Sequence, residues 1–247
     1  MPSPARCPQP HRETGARHAR TPRRPWAAVR VGFLALAFTA CESRAAPPPS
    51  WPAGTVLVFD GQPISAEEVD RVADVFALVQ PENSVAETRR LALTNVVFPL
   101  HAAREVDPAQ RAAALELARA HAAAVRAGDV ANTGLLGPVE TERVGGARAV
   151  GLDAWKFALD AQPGAWSELI ETPGAFELVQ LRERGKQNTP AALEVRVGVY
   201  VYPYLDASNP RAAIDAALDR AKLVIVDPAW KDLVPTAWQY RLKAGVP

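Results

Sequence analysis

Cysteine and histidine are nearly missing from this chain of 247 residues, with two of the first and four of the second. Both cysteines, Cys7 and Cys41, fall within the first 41 residues, so from Glu42 onward there is no thiol, no disulfide and no cysteine nucleophile. The histidines are His11, His18, His101 and His121, and no Cys or His cluster has metal-ligand spacing, which argues against a transition-metal enzyme. No metal and no cofactor is expected. A Gly-x-Ser-x-Gly elbow is absent as well, which removes the usual sign of serine nucleophilic catalysis. Basic excess is confined to the start: seven arginines and one acid, Glu13, lie in residues 1–41. Taking these from 28 basic and 27 acidic residues leaves 21 against 26, so residues 42–247 carry about −5. This argues against a nucleic-acid or anionic-lipid surface as the main partner. Long apolar runs are scarce too; "VGFLALAFTA", Val31 to Ala40, is too short to span a bilayer.

That run has the length of a secretory h-region and follows an Arg-rich start, so residues 1–41 read as a signal peptide that takes no part in the fold. Cys41 follows "FTA" and resembles the lipidation site of a bacterial lipoprotein signal, with Phe38 departing from the usual leucine-like position. The expectation is an exported chain anchored through Cys41 at the periplasmic face of the cell envelope, with plain secretion and an uncleaved anchor as the alternatives. Residues 42–54, rich in Pro and Ala, read as a flexible tether.

With 48% hydrophobic residues, the remaining chain is long enough for a substantial core. "TVLVFDGQPISAEEVD" predicts a strand, a turn at Asp60-Gly61 and an amphipathic helix. Capping boxes are expected at Ser65/Glu68 and Ser84/Glu87, with Pro99 kinking or dividing the second helix. A third helix starts at Asp107-Pro108 and ends at Gly128. Residues 55–128 thus form a helical lobe. The glycine-rich stretch 128–151, "GDVANTGLLGPVETERVGGARAVG", has no sustained period and predicts an irregular loop with one short strand. Helix returns at "LDAWKFALDA", "QPGAWSELIET" supplies a turn and a short strand, and "AFELVQLRER" is a strand. Beyond residue 188, "EVRVGVYVY" alternates as a strand, Asn209-Pro210 opens a helix, "LVIVD" is a strand, and the last helix carries Trp230 and Trp238 and is interrupted at Pro235. The pattern is α+β.

The stretch from Gly145 resembles the C-terminal half of a parvulin-type peptidyl-prolyl isomerase domain. The residues that match are Gly145-Gly146, Ala158-Leu159, Pro163-Gly164, Ser167, Glu171-Thr172-Pro173, Phe176 and Arg182. "VFDGQPISAEEVD" is similar to the start of the SurA-like N-terminal chaperone domain. The two resemblances imply a helical SurA-like N-terminal lobe (55–128), a parvulin-like small antiparallel sheet with flanking helices (129–188), and a C-terminal segment (189–247) packing back on the N-terminal lobe. The departures are specific. Ala175 stands where the family has glycine, and Glu177 stands where it has histidine. The family's first strand, with its own histidine, finds only "FPLHAAREV" and His101, which read better as helix.

Rotation about an Xaa-Pro bond faces a barrier of roughly 18–20 kcal/mol. Catalysis needs an apolar slot for the proline and groups that donate and accept around the twisted amide. Glu177 when ionised can only accept, and it is expected to face solvent or pair with an arginine such as Arg182. Trp155, Phe157 and Phe176 are candidates for an apolar substrate-binding face, and the same aromatics suit plain core packing. His101 and His121 read as helix-surface or satisfied core residues. The expected partners are unfolded or proline-containing polypeptides and, through the lipid anchor, a membrane. The function implied is a chaperone or assembly factor whose isomerase activity is lost. An isomerase with an altered site and a structural envelope lipoprotein with a fixed partner are the alternatives.

Overall fold

The computed structural model describes residues 50–129, 138–185, 189–206 and 208–243, so the signal segment, Cys41 and tether residues 42–49 lie outside the described residues. The end of the expected tether is tied down: Thr55 N–H and Oγ1 both donate to Pro52 O, and Ala66 N–H donates to Gly54 O. Strands β1 (Thr55–Phe59) and β2 (Gln62–Ser65) form a hairpin through Asp60 and Gly61. Both turn residues have positive φ, 47° and 81°, as a two-residue hairpin loop requires. The second strand was not legible in the sequence.

Helix α1 (Ala66–Val79) begins at Ser65, whose side chain accepts from Glu68 N–H. The box expected there does not close, because the Glu68 carboxylate turns to His101 instead. At α2 (Val85–Ala92) the box is complete between Ser84 and Glu87. The helix then widens into a π turn over Leu93–Val97, in which Phe98 N–H donates to Leu93 O, before α3 (Phe98–Val106). Pro99 sits at the second position of α3, and a widened turn just before a proline accommodates its missing donor and its ring. Thr94 Oγ1 and Asn95 Nδ2 donate to the carbonyls of Arg90 and Leu91 on the exposed side of the wide turn. Helix α4 (Pro108–Ala127) is capped by Asp107 and ends at Gly128 with φ 71°.

Strand β3 (Thr141–Gly145) leads into the short helices α5 (Ala147–Val150) and α6 (Leu152–Asp160). The hairpin of β4 (Ile170–Thr172) and β5 (Ala175–Arg184) turns at Pro173-Gly174, where Gly174 has φ 101°. An added Cβ there would also meet Leu205 at 3.3 Å. Strand β6 (Val195–Pro203), helix α7 (Pro210–Arg220), strand β7 (Leu223–Ile225) and helix α8 (Thr236–Lys243) complete the described chain.

Two antiparallel sheets result, β2-β1-β7 and β3-β6-β5-β4. The architecture is mixed helix and sheet, α+β. Both sheets draw on the C-terminal segment. The boundary expected between residues 188 and 189 falls within one sheet, since β6 lies between β3 and β5. The stretch "FPLHAAREV" is helix α3, so it supplies no strand.

Alternation along β5 and β6 divides the core. Phe176, Leu178, Tyr202 and Tyr204 join the cluster formed with the first sheet and helices α1, α3, α4 and α7. Val179, Leu181, Val195, Val197 and Val199 form a second cluster with α5, α6 and Val75 of α1. At the C-terminus Trp238 meets Phe59 and Phe98 edge-on, with centroids 5.6 and 5.5 Å away, while Phe59 and Phe98 stack at 5.4 Å. Trp230 lies under the Arg89 guanidinium at 5.0 Å.

Candidate functional site

A cleft of about 790 Å³ opens between helices α1 and α3 on one side and α6 with the β4 segment on the other. Helical spacing builds its apolar wall: Val72 and Val75 from α1, Val96 and Val97 from the π turn, and Leu100 from α3. Phe157 and Ile170 face them from the other side. Around this interior stand Glu68, Arg71, Arg104, Asp153, Lys156, Glu168 and Glu171. An apolar interior with an alternating charged border suits a flexible ligand that carries both apolar and polar groups.

Several border groups are held in place. His101 is 4% exposed, and its ring nitrogens face Gln62 Oε1 at 3.1 Å and Glu68 Oε1 at 3.0 Å. Gln62 Nε2 donates to Glu105, which turns the amide oxygen toward His101. Burial pushes the Glu68 carboxyl up, but the bond and charge of His101, with Arg104 and Arg71, outweigh it and hold the group below its ordinary value. Glu171 accepts from two arginines at once: Arg104 Nε and Nη2 at 3.2 and 2.8 Å, and Arg111 Nε and Nη2 at 2.6 and 2.9 Å. Burial again opposes ionisation, and the two guanidinium groups overcome it, so Glu171 is also lowered. Asp153 behaves oppositely. Burial and then the nearby Glu177 push it up, with Arg71 pulling the other way.

Of the expected site residues, only Phe157 lines the cleft. Trp155 is 1% exposed, donates Nε1–H to Leu193 O and sits in the second core cluster. Phe176 is 3% exposed, lies against Tyr204 and is covered by Arg111 at 5.6 Å. Both are core residues, because α6 and α4 cover the two faces of the sheet from which a binding face would have to open.

Glu177 does pair with an arginine, as one of the two expectations for it had it, but with Arg143. It is neither at the solvent nor paired with Arg182, but 8% exposed and gripped by Arg143, whose Nη1 and Nη2 donate to Oε2 at 3.1 Å and Oε1 at 2.9 Å. Arg182 pairs with Glu140. The alternation of β5 turns Glu177 toward α5 and α6, on the Val179 side, and it does not line the cleft. Both oxygens of this carboxylate are taken up as acceptors by Arg143.

The two histidines stand apart. His101 belongs to the Gln62–Glu68 pair at the N-terminal hairpin. His121, fully buried on α4, has Nδ1 at 2.5 Å from Tyr202 Oη and lies edge-on to Tyr200 at 4.8 Å. Burial, and then Tyr200, push the Tyr202 phenol far up. Among the described residues no group of three His, Cys, Asp or Glu is placed to hold a metal ion, and no helix is long and apolar enough to cross a membrane. The Arg104–Glu171–Arg111 cluster was not foreseen, and neither was Arg143 as the arginine that pairs with Glu177. Their partners are 34 to 67 residues apart, and the only signal was the matched Glu171 and the unusual Glu177. Comparison with known protein families, curated proteins and solved structures finds no match to this chain.

Proposed function

We propose that this chain is a parvulin-like polypeptide-binding protein of the cell envelope, a chaperone or assembly factor that holds unfolded or nascent segments and does not isomerise prolyl bonds. The observation that carries this reading is the cleft, with its valine, leucine and phenylalanine interior and its border of both charge signs. Such a surface takes in apolar side chains of varied sequence while leaving the backbone of a bound segment near water and charged groups. Supporting the absence of isomerase chemistry is Glu177, which stands at the histidine place of the resemblance and is held by Arg143 outside the cleft lining. Export and anchoring through Cys41 belong to the same reading, resting on the resemblance of residues 1–41 to a lipoprotein signal.

Two assays on the purified chain test it. The chain should slow aggregation of a reduced, unfolded client at near-stoichiometric ratio, and it should leave cis/trans exchange in a proline-containing peptide at the uncatalysed rate. Acceleration of exchange would replace the proposal with an altered isomerase. A client that aggregates equally fast with and without the chain would leave the fixed-partner envelope lipoprotein in its place. Mass spectrometry of the N-terminal peptide from membranes checks for acyl groups on Cys41.

A further inference from the structure

Strand β7 forms one edge of the three-stranded sheet, and the hydrogen bonds around it fix which of its backbone groups are spoken for. Asp60 N–H donates to Lys222 O, and Val226 N–H donates to Val56 O. Antiparallel pairing alternates, so Val224, opposite Val58, also turns its N–H and C=O toward β1. Leu223 and Ile225 therefore turn theirs the other way, toward an edge that no strand among the described residues covers. Beside that edge lies a pocket of about 460 Å³, lined by these residues together with Lys231, Asp232 and Leu242.

The two edges of this sheet differ in a telling way. On the β2 side the position facing outward is Pro63, the partner of Val58, which has no N–H to offer a neighbouring strand. Edge strands are commonly blocked by proline or by charge to prevent strand addition. The β7 strand itself has neither, since its run reads Leu223, Val224, Ile225, Val226, and the charges of Lys231 and Asp232 stand beside it in the pocket. Val224 and Val226 are 51% and 37% exposed on its outer face.

We propose that the β7 edge is a second polypeptide site, which takes an extended client segment as an added antiparallel or parallel strand. The inference rests on the polypeptide-binding reading but assigns a surface separate from the cleft. The occupant is defined by the edge itself: two outward N–H groups and two outward C=O groups, spaced as a strand, are complementary to another strand. Backbone pairing makes recognition tolerant of sequence, while Val224 and Val226 favour apolar side chains at alternate positions.

Amide hydrogen exchange on the full chain tests this, with a ten-residue peptide of alternating valine and threonine, flanked by lysines, as the probe. Saturating peptide should slow exchange at Leu223 and Ile225 at least tenfold and leave Val224, already bonded to β1, unchanged. Ile225→Pro removes an outward donor without touching the β1 bonds, and Val224→Lys places a charge on the exposed face. Each should weaken peptide binding at least tenfold. Should Ile225→Pro fold poorly, Val224→Lys alone decides the matter. Unchanged exchange at Leu223 and Ile225 would overturn the site, as would wild-type affinity in Val224→Lys. Protection that is already present in the free chain and falls on dilution would mean self-pairing and overturn it equally. A chain that protects an unfolded client from aggregation without these changes keeps the polypeptide-binding function and loses only this site. Slowed exchange in a chain that fails the aggregation assay does the reverse.

Discussion

Arg143 and Glu177 form a two-pronged ion pair across the second sheet, and Arg143 Nη1 also reaches the Val150 carbonyl at 3.2 Å. Removing the arginine strands a carboxylate that is 8% exposed. Arg143→Met should cost about 3 kcal/mol in denaturant unfolding, the lower end for a broken buried pair because the arginine keeps some contact with water. Arg143→Met/Glu177→Leu should recover most of that loss. Glu177→His, which places there the residue that the parvulin resemblance has, should give no isomerase activity in the peptide exchange assay, since this position does not line the cleft.

Glu171 ties α3 and α4 to β4 through Arg104 and Arg111. Its folded-state pKa is lowered, so its stabilisation is fully present above the unfolded value of about 4.3 and is lost as pH falls through the lowered folded value. Glu68 contributes in the same direction. Glu171→Gln should cost roughly 1.5–3 kcal/mol at neutral pH, as expected for hydrogen bonds between charged groups. The difference from wild type should shrink in acid, as read by thermal unfolding at pH 7 and below pH 4.

Asp153 has the opposite sign. Its folded-state pKa is raised, so ionisation disfavours the folded state once pH exceeds the unfolded value, and the full cost appears above the raised one. Asp153→Asn should therefore raise the melting temperature at neutral pH and leave it unchanged in strong acid. A lower melting temperature at pH 7 would show that Asp153 is needed for a contact with Arg71 that outweighs burial.

Phe157 is the cleft's aromatic side chain. Phe157→Lys puts a charge on the apolar interior without touching Trp155 or Phe176. The expected result is a several-fold loss in protection of an unfolded client, with the melting temperature within a few degrees of wild type. Equal protection by the variant would move the client site elsewhere.

Trp238 closes an aromatic trio with Phe59 and Phe98. Trp238→Ala should cost about 3–5 kcal/mol, the range for truncating a large buried aromatic. Deleting residues 228–247 should lower the melting temperature further, because it also removes Trp230 from beneath Arg89.

Local signals were the legible part of the sequence. Ser84/Glu87, Asp107-Pro108 and Asn209-Pro210 start helices where the capping rule places them, and the alternation of Val195–Val201 is a strand. What was not legible depended on distance along the chain. Glu68 has the spacing of a capping box, and only the fold reveals that His101, 33 residues away, takes its carboxylate. Trp155 and Phe176 are large and apolar in the stretch whose sequence resembles a parvulin domain, which suits a binding face and a core equally; the helices on both faces of the sheet decide for the core. The cleft itself joins residues from Ser65 to Glu171, and no periodicity brings those together.

The place of β6 and β7 has a consequence for the order of assembly. Among the described residues β3 finds its strand partner only in β6, and β1 finds its second neighbour only in β7, so each sheet waits for residues near the end of the chain. A chain that emerges N-terminus first can form its hairpins and helices early, but neither sheet can close until residues beyond 195 have appeared. Such long-range closure is slow. Until then β1 and β5 each keep an unpaired edge, which a strand of another chain could take.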